Sequence, residues 1–311
     1  FCGRGRLLAR PQQVYATIFS SQGLDFTQTE DAITIRGALK AGLYTVDGSV
    51  SSQFISGLLF ALSLLPQESE IHITPPFESR SYVDCTLQTL SDFGVNAAWQ
   101  DALTLHLPGN QHFHAQNATV EGDYSQGAFF AVLGACCGGI TLQNLRADSV
   151  QGDRVILDIL KRCGAIFENT AQGIVFQKSI LHATKIDLAD CPDLGPILMV
   201  LALFCEGETV IEHAGRLRVK ESDRIAAMES EIHKMGGQMR TSKDTIYLQK
   251  STLHRAENVT SHNDHRIAMA MSIAALCAGV PVTIAQAQAV CKSYPDFFAV
   301  LKTLGAAVEE Q

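Results

Sequence analysis

The segment Leu194–His213, with the sequence LGPILMVLALFCEGETVIEH, decides the fold because it joins an apolar helix to a short strand across a glycine break. Leu194–Cys205 is apolar on every side, and a helix without a polar face belongs inside a domain. The β-favouring residues after Gly207 predict a strand over Thr209–His213. A buried helix followed by an outer strand is therefore the building unit that this segment indicates.

The same unit recurs along the chain. The breaks after the apolar helices lie at Pro66, Gly138, Gly207 and Gly279, which are 72, 69 and 72 residues apart. The predicted apolar helices are Ser52–Leu65, Ser125–Cys137, Leu194–Cys205 and Arg266–Ala278, and the strands after them are Glu70–Thr74, Ile140–Leu145, Thr209–His213 and Val282–Ala285. A period near 70 is too long for a solenoid with one supersecondary element per repeat.

A second set of helices, amphipathic and ending at glycine, alternates with the first. Apolar residues at i, i+3 and i+4 and a glycine C-cap mark its members, which are Pro11–Gly23, Tyr82–Gly94, Arg154–Gly164, Arg224–Gly236 and Pro295–Gly305. Each unit thus has two helices and several strands, which predicts an α/β module with helices inside and sheets outside. The first residue is Phe and the first unit is already in progress, so we expect further residues N-terminal to this chain.

Composition narrows the class of protein. The net charge of -8 argues against general nucleic-acid binding, and no apolar run is long enough for a membrane span. The nine cysteines show no Cys-x-x-Cys spacing, which favours reduced thiols in a cytoplasmic protein. The expected class is a globular cytoplasmic protein.

Polar residues stand at the start of each apolar helix. Ser51, Ser52 and Gln53 precede or open the first one, and a helix N-terminus offers free N–H groups to a phosphate or carboxylate. N-capping would explain one such residue but not all three. Arg266 opens the last apolar helix, where a cation opposes the helix dipole, so a compensating anion is expected there.

The segment Arg216–Arg224 is the strongest local signal, since four cations occupy it in an acidic protein. Lys220 and Arg224 are four residues apart and would share one face if the helix has begun. Glu221 lies between them. A solvated charged turn is the alternative, but a loop joining a strand to a helix usually faces a site.

Two further loop residues complete the candidate set. Asp193 stands at the head of an apolar helix, where a carboxylate can have a raised pKa and act as a base, although a helix cap is an alternative. Lys292 follows an apolar strand and precedes a helix. These residues indicate an enzyme that handles a phosphorylated, carboxylated small molecule.

Five segments together resemble the 5-enolpyruvylshikimate-3-phosphate (EPSP) synthase family in order and spacing. They are DGSVSSQF at 47–54, Asp193, RVKESDR at 218–224, NDHRIA at 263–268 and KSYPDF at 292–297. The resemblance implies an α/β, two-domain enolpyruvyl transferase fold of repeated βαβαββ units, an inverse α/β barrel with helices inside, lacking about 110 N-terminal residues. It places an incomplete N-terminal, shikimate 3-phosphate-side domain at 1–119 and a C-terminal, phosphoenolpyruvate-side domain at 120–311.

The resemblance also implies the reaction: the 5-hydroxyl of shikimate 3-phosphate adds to C2 of phosphoenolpyruvate, and the tetrahedral intermediate loses phosphate. It implies no metal or organic cofactor, and a monomer when complete. Asp193 would accept the hydroxyl proton, Glu221 is a candidate proton donor to the methylene carbon, and Lys220 would contact both substrates. Shikimate 3-phosphate would be bound by Ser51, Ser52, Gln53, Ser79, Tyr82, Asp193 and Lys220, and phosphoenolpyruvate by Arg10, Gln53, Arg224, Arg266 and Lys292.

The family's Lys-Ser-x-Ser-x-x-Arg segment and its Asn-Ala-Gly-Thr loop do not occur in this sequence, and Arg216 stands where some members have Asn. We therefore expect this chain alone to turn over far more slowly than a complete enzyme. Two alternatives stay open from the sequence. One is an enzyme like UDP-N-acetylglucosamine enolpyruvyl transferase, and the other is a non-catalytic fragment of the family.

Overall fold

The structure, a computed structural model, describes residues 1–3, 8, 12–77 and 80–309. The chain divides into two compact units, Phe1–Thr119 and Val120–Gln311. Each unit has its own cluster of buried apolar side chains. The substrate that each unit binds stays a prediction.

The first unit contains one complete βαβαββ module and an additional hairpin. The module comprises β3 (Leu43–Asp47), α2 (Ser52–Leu62), β4 (Ser69–Thr74), α3 (Arg80–Asp92), β5 (Ala98–Trp99) and β6 (Thr104–Leu107). Its sheet has the order β3-β4-β6-β5, in which only β3 and β4 pair in parallel. Before it come α1 (Gln13–Ser21) and the antiparallel pair β1 (Asp25–Gln28) and β2 (Ile33–Arg36).

The second unit contains another complete module between two partial ones. The complete module comprises β10 (Lys185–Asp187), α6 (Gly195–Phe204), β11 (Glu208–Glu212), α7 (Arg224–Lys234), β12 (Gln238–Ser242) and β13 (Thr245–Gln249). Its order, β10-β11-β13-β12, repeats that of the first unit. The module before it has α4 (Tyr124–Cys137), β7 (Ile140–Leu142), α5 (Val155–Arg162), β8 (Ile166–Thr170) and β9 (Gly173–Gln177). The module after it has β14 (Ala256–Thr260), α8 (His265–Ala278), β15 (Val282–Ala285) and α9 (Phe297–Thr303).

The predicted architecture of buried helices and outer sheets is confirmed. The helices α4, α6 and α8 contact one another, and Gly195–Leu203 of α6 is buried throughout. The glycines that end the amphipathic helices all have a positive φ, between 70° and 91°, as a left-handed C-cap requires: Gly23, Gly94, Gly164, Gly236 and Gly305. The α/β modules of about 70 residues therefore follow the period read from the sequence.

The apolar helix α2 departs from that prediction because one side of it is not covered. Phe60 is 42% exposed, and its ring lies 6.5 Å from that of Phe113.

Within the described ranges, no helix is long and apolar enough to cross a membrane.

Candidate active site

Asp193 lies in the 3₁₀ turn Pro192–Leu194 that leads from β10 into α6. Proline fits the first position of such a turn, because an N–H group there would have no hydrogen-bond partner and proline has none. The helix that follows is buried from Gly195 to Leu203, so the turn holds Asp193 at the end of the apolar core. The side chain of Asp193 is 26% exposed.

Three cations surround the Asp193 carboxylate. Lys220 Nζ lies 3.2 Å and Arg224 Nη1 3.1 Å from Oδ1, while Arg266 Nη2 lies 3.1 Å from Oδ2. Arg266 also donates through Nη1 to the backbone carbonyl of Asp193 at 3.1 Å. The cations come from two separate segments of the second unit, the one around the start of α7 and the first turn of α8, and converge on one acidic side chain.

The expectation of a raised pKa for Asp193 is wrong in this structure. Burial alone would raise the pKa of the carboxyl group, but Arg266, Lys220 and Arg224 together hold it well below its usual range. An opposite charge within about 4–6 Å favours the ionised form, and here three act together. Asp193 is therefore a firmly ionised and weakly basic carboxylate while the cations are its partners.

Arg224 is enclosed by carboxylates. Its side chain is 1% exposed, and it donates through Nε to Asp264 Oδ2 at 2.9 Å, through Nη1 to Asp193 Oδ1 and through Nη2 to Glu221 Oε2 at 2.6 Å. All three nitrogens of its guanidinium group thus have an acidic partner. A buried arginine is stable only with such pairing, so a bound anion would share Arg224 with these carboxylates.

Glu221 is ionised rather than poised to donate a proton. Burial would raise its pKa, but the charge of Arg224 keeps the pKa below the ordinary value. The predicted role of proton donor would therefore need Glu221 to take up a proton first, after the hold of Arg224 has weakened.

Asp264 is a site residue that the sequence reasoning did not single out. It is fully buried, accepts from Ser222 Oγ at 3.0 Å and from Arg224, and caps α8 by accepting from the backbone N–H of Arg266 at 2.9 Å. Burial would raise its pKa, but Arg224 lowers it below the ordinary value. The sequence did contain a sign of this role, because Asp264 directly precedes an apolar helix that begins with a histidine and an arginine, and aspartate is favoured at such an N-cap position.

The anion that compensates Arg266 is supplied by the protein. The side chain is buried at the first turn of α8, and it contacts Asp193 and Ser125 Oγ, the latter at 3.1 Å. A compensating anion was expected at this position, and the Asp193 carboxylate occupies that place in the structure. The aspartate thereby offsets the unfavourable interaction of the cation with the helix dipole.

Lys220 and Arg224 would share a helical face only if the helix included both, and that condition is not met. Helix α7 begins at Arg224, and Lys220 follows the 3₁₀ turn Gly215–Val219. The turn nevertheless directs both side chains to Asp193. Arg218 points elsewhere and pairs with Asp223 at 3.1 Å on the surface.

Lys292 ends the 3₁₀ helix Ala287–Lys292 and donates to the backbone carbonyl of Asn263. Asn263 directly precedes Asp264, the cap of the helix that carries Arg266. The exposed Lys292 is thus hydrogen-bonded to the turn before α8, whereas Arg224 and Arg266 are hydrogen-bonded to Asp193.

In the first unit, the predicted residues gather at the starts of two neighbouring helices. Ser51 caps α2, since its Oγ accepts from the backbone N–H of Gln53 at 3.3 Å; Ser52 is buried and Gln53 is exposed. Tyr82 lies in the first turn of α3. One turn further along each helix, Ser56 and Thr86 share a hydrogen bond of 2.7 Å, so Ser52 and Tyr82 lie at similar heights on adjacent helices.

Arg10 and Ser79 lie outside the described residues. In the part of the chain that the structure describes, no three His, Cys, Asp or Glu side chains form a group that could hold a metal ion. The cations grouped around the Asp193 carboxylate in the second unit can bind an anion, either in place of that carboxylate or beside it.

Comparisons with known proteins match nearly the whole chain to one family of enzymes. The family model of EPSP synthase (3-phosphoshikimate 1-carboxyvinyltransferase) matches residues 1–301. The 3-phosphoshikimate 1-carboxyvinyltransferase of Clostridium kluyveri is 42% identical over 313 aligned residues, which cover 100% of this chain and 73% of the relative. The enzyme of the same name from Clostridium acetobutylicum is also 42% identical, with the same coverage.

Among solved structures, an EPSP synthase from Acinetobacter baumannii superposes with a TM-score of 0.81 at 28% identity, covering 100% of this chain and 74% of that one. The enolpyruvyl transferase NikO from Streptomyces tendae superposes with a TM-score of 0.75 at 16% identity, covering 97% and 73%, and shows a likeness of fold alone.

Proposed function

The chain belongs to the EPSP synthase family, and we propose that the cations around Asp193 bind phosphoenolpyruvate in the reaction of that family. The enzyme is a transferase that moves the enolpyruvyl group of phosphoenolpyruvate to the 5-hydroxyl of shikimate 3-phosphate, in aromatic amino-acid biosynthesis. The observation that carries the proposal is the convergence of Lys220, Arg224 and Arg266 on one carboxylate. Arg10, Gln53 and Lys292 complete the proposed phosphoenolpyruvate-binding set.

Binding of phosphoenolpyruvate at these cations would change the chemistry of Asp193. The carboxylate and phosphate of the substrate match the planar guanidinium groups of Arg224 and Arg266, which bind such anions bidentately. Each contact that the substrate makes weakens the hold of a cation on Asp193. The pKa of Asp193 would then rise from its depressed value, which makes the carboxylate a better base only when substrate is present.

In the proposed reaction, Asp193 accepts the proton of the 5-hydroxyl while that oxygen bonds to C2 of phosphoenolpyruvate. The methylene carbon takes a proton, with Glu221 as the proposed donor once its link to Arg224 has loosened and it has been protonated. The tetrahedral intermediate then loses phosphate together with a proton of the new methyl group, which restores the enol double bond. Lys220 contacts Asp193 and would offset negative charge on the intermediate, as preorganised cations do in other enzymes.

Shikimate 3-phosphate is proposed to bind Ser51, Ser52, Gln53, Ser79 and Tyr82 in the first unit, together with Asp193 and Lys220. Support comes from the N-terminus of α2, where backbone N–H groups and hydroxyls suit a phosphate. The parallel neighbour α3 brings Tyr82 to the same level. We also propose that the protein works as a monomer in the cytoplasm, in keeping with its nine free cysteines.

Phosphate release in the presence of both substrates tests the assignment. Release should require shikimate 3-phosphate, and UDP-N-acetylglucosamine should not replace it. The variant Arg266→Ala should raise the KM for phosphoenolpyruvate about ten-fold or more, since a hydrogen bond to a charged group contributes about 1.5–3 kcal/mol. An unchanged KM for phosphoenolpyruvate in that variant would show that the anion binds elsewhere.

A further inference from the structure

Glu231 is a fully buried carboxylate on α7, two turns beyond Arg224, and the proposed reaction does not use it. It accepts from Lys234 Nζ at 2.8 and 2.9 Å, from His262 Nε2 at 2.8 Å and from the backbone N–H of Thr260 at 3.0 Å. Lys234 Nζ also donates to the backbone carbonyl of Asn258 at 2.9 Å. Every partner thus belongs to α7 itself or to the segment formed by β14 and the turn after it.

A carboxylate is an unusual choice for this buried position. Burial alone would raise the pKa of Glu231, but hydrogen bonds from Lys234 and His262 keep the pKa below its ordinary value, so the group is ionised. An apolar residue of similar volume is often as stabilising as a buried ion pair. The advantage of a carboxylate here is that its hydrogen bonds fix the path of the chain at Thr260 and His262.

The turn that Glu231 holds has an uncommon backbone conformation. His262 and Asn263 are consecutive residues with φ of 52° and 55°, in the left-handed region that residues other than glycine rarely adopt. Such a conformation persists only when the surroundings determine it. Ser261 supports the same turn, since its Oγ donates to the backbone carbonyl of Gln286 at 2.9 Å and accepts from the backbone N–H of Asn263 at 3.1 Å.

This turn ends at the residues that arrange the cations. Asp264 follows it directly and bonds Arg224 and the backbone of Arg266. The carbonyl of Asn263, inside the turn, accepts from Lys292. Arg224, Arg266 and Lys292 of the proposed phosphoenolpyruvate set are therefore all hydrogen-bonded to this turn, and Glu231 is bonded to the residues that begin it.

We infer that Glu231 is a positioning residue for phosphoenolpyruvate binding, acting through the turn His262–Asn263–Asp264 on Arg224, Arg266 and Lys292. The inference rests on the proposed phosphoenolpyruvate site. It assigns no contact between Glu231 and substrate. Its consequence is specific: disturbing Glu231 should weaken the binding of phosphoenolpyruvate more than that of shikimate 3-phosphate. The turn contacts Arg224, Arg266 and Lys292, which all belong to the proposed phosphoenolpyruvate set, whereas the shikimate 3-phosphate set is reached through Asp193.

The variants Glu231→Gln and Glu231→Leu test it. The amide has one acceptor oxygen where the carboxylate serves three donor groups, and leucine keeps the apolar volume while removing every hydrogen bond. Both should raise the KM for phosphoenolpyruvate about five- to ten-fold and leave that for shikimate 3-phosphate within about two-fold. The same contrast should appear in the Tm increase that each substrate produces, a measurement that needs no turnover.

Two controls separate positioning from general loss of stability. Ile246→Ala removes a buried side chain of β13 in the same unit, away from the turn, and should lower Tm while leaving the ratio of the two KM values unchanged. His262→Ala removes one link between Glu231 and the turn. In that background, Glu231→Gln should have a smaller effect, because coupled residues are not additive.

The outcomes are distinguishable when Arg266→Ala is measured alongside. If that variant raises the KM for phosphoenolpyruvate and the Glu231 variants do not, or if they raise both KM values equally, Glu231 is a structural residue only and the inference is overturned. If Arg266→Ala also leaves the KM for phosphoenolpyruvate unchanged, the proposed site is wrong and the inference is overturned with it. A selective increase in all three variants supports both.

Discussion

Replacement of Asp193 by alanine is expected to reduce kcat about 10²–10⁴-fold, since that is the usual loss when a general base is removed. The loss corresponds to about 2.7–5.5 kcal/mol in the activation free energy. The KM for shikimate 3-phosphate should change little by comparison. These values apply because Asp193 is the one carboxylate that Lys220, Arg224 and Arg266 all contact in the described structure.

The structure adds a second, less obvious expectation for the same variant. Asp193 occupies the cations that phosphoenolpyruvate is proposed to bind, so the carboxylate competes with the substrate for them. Without it, the KM for phosphoenolpyruvate should stay the same or fall. The fold should tolerate the change, because Arg224 keeps Asp264 and Glu221, and Arg266 keeps Ser125. A cost of about 1–3 kcal/mol in the free energy of unfolding is expected for the lost partners.

The assay is phosphate release under saturating concentrations of both substrates, with urea unfolding to measure stability. Asp187→Ala is the matched control, because Asp187 is an exposed carboxylate on β10 that pairs with His213 rather than with the cations. That control should retain kcat within about two-fold. The reasoning is refuted if Asp193→Ala keeps its kcat, or if it raises the KM for phosphoenolpyruvate strongly, since Asp193 would then be a helix cap or a binding residue.

Three other predictions follow from the charges and their burial. Arg224→Lys should reduce the free energy of unfolding in urea by about 3–5 kcal/mol, because lysine cannot bond Asp264, Asp193 and Glu221 at once as the guanidinium group does. Arg218→Lys, at the exposed pair with Asp223, should cost at most about 1 kcal/mol. Lys292→Ala should raise the KM for phosphoenolpyruvate about ten-fold with little change in Tm, because the side chain is exposed. A large decrease in Tm alongside the increase in KM would contradict this. The folded-state pKa of Asp264 is depressed, so its contribution to stability is present above its unfolded pKa of about 3.9 and is lost as pH falls through the folded value. Unfolding free energies measured between neutral and acid pH should therefore decrease below about pH 4, and Asp264→Asn should show a shallower decrease.

Much of the fold could be predicted because local patterns determine it. The apolar run around Gly195–Phe204 has no polar face, so it could only be an internal helix, and it is buried from Gly195 to Leu203. Glycine at a helix end needs no partner from elsewhere in the chain to adopt a positive φ, and Gly164 and Gly236 do so where predicted. The exception is α2, whose apolar side at Phe60 remains exposed, since hydrophobicity alone does not say what covers a helix.

The sequence by itself determined the repeat of about 70 residues, the positions of the helices and their ends, the family and the set of charged residues at the helix starts. Only the tertiary structure decided the pairing of those charges. Arg224 reaches Asp193 across 31 residues of sequence and Asp264 across 40, while Arg266 reaches Asp193 across 73. The pKa of Asp193 depends on the sum of these distant charges. The apolar surroundings visible in the sequence predicted an increase, and three cations brought close by folding reversed it, because Coulomb interaction depends on distance in space and not on separation along the chain.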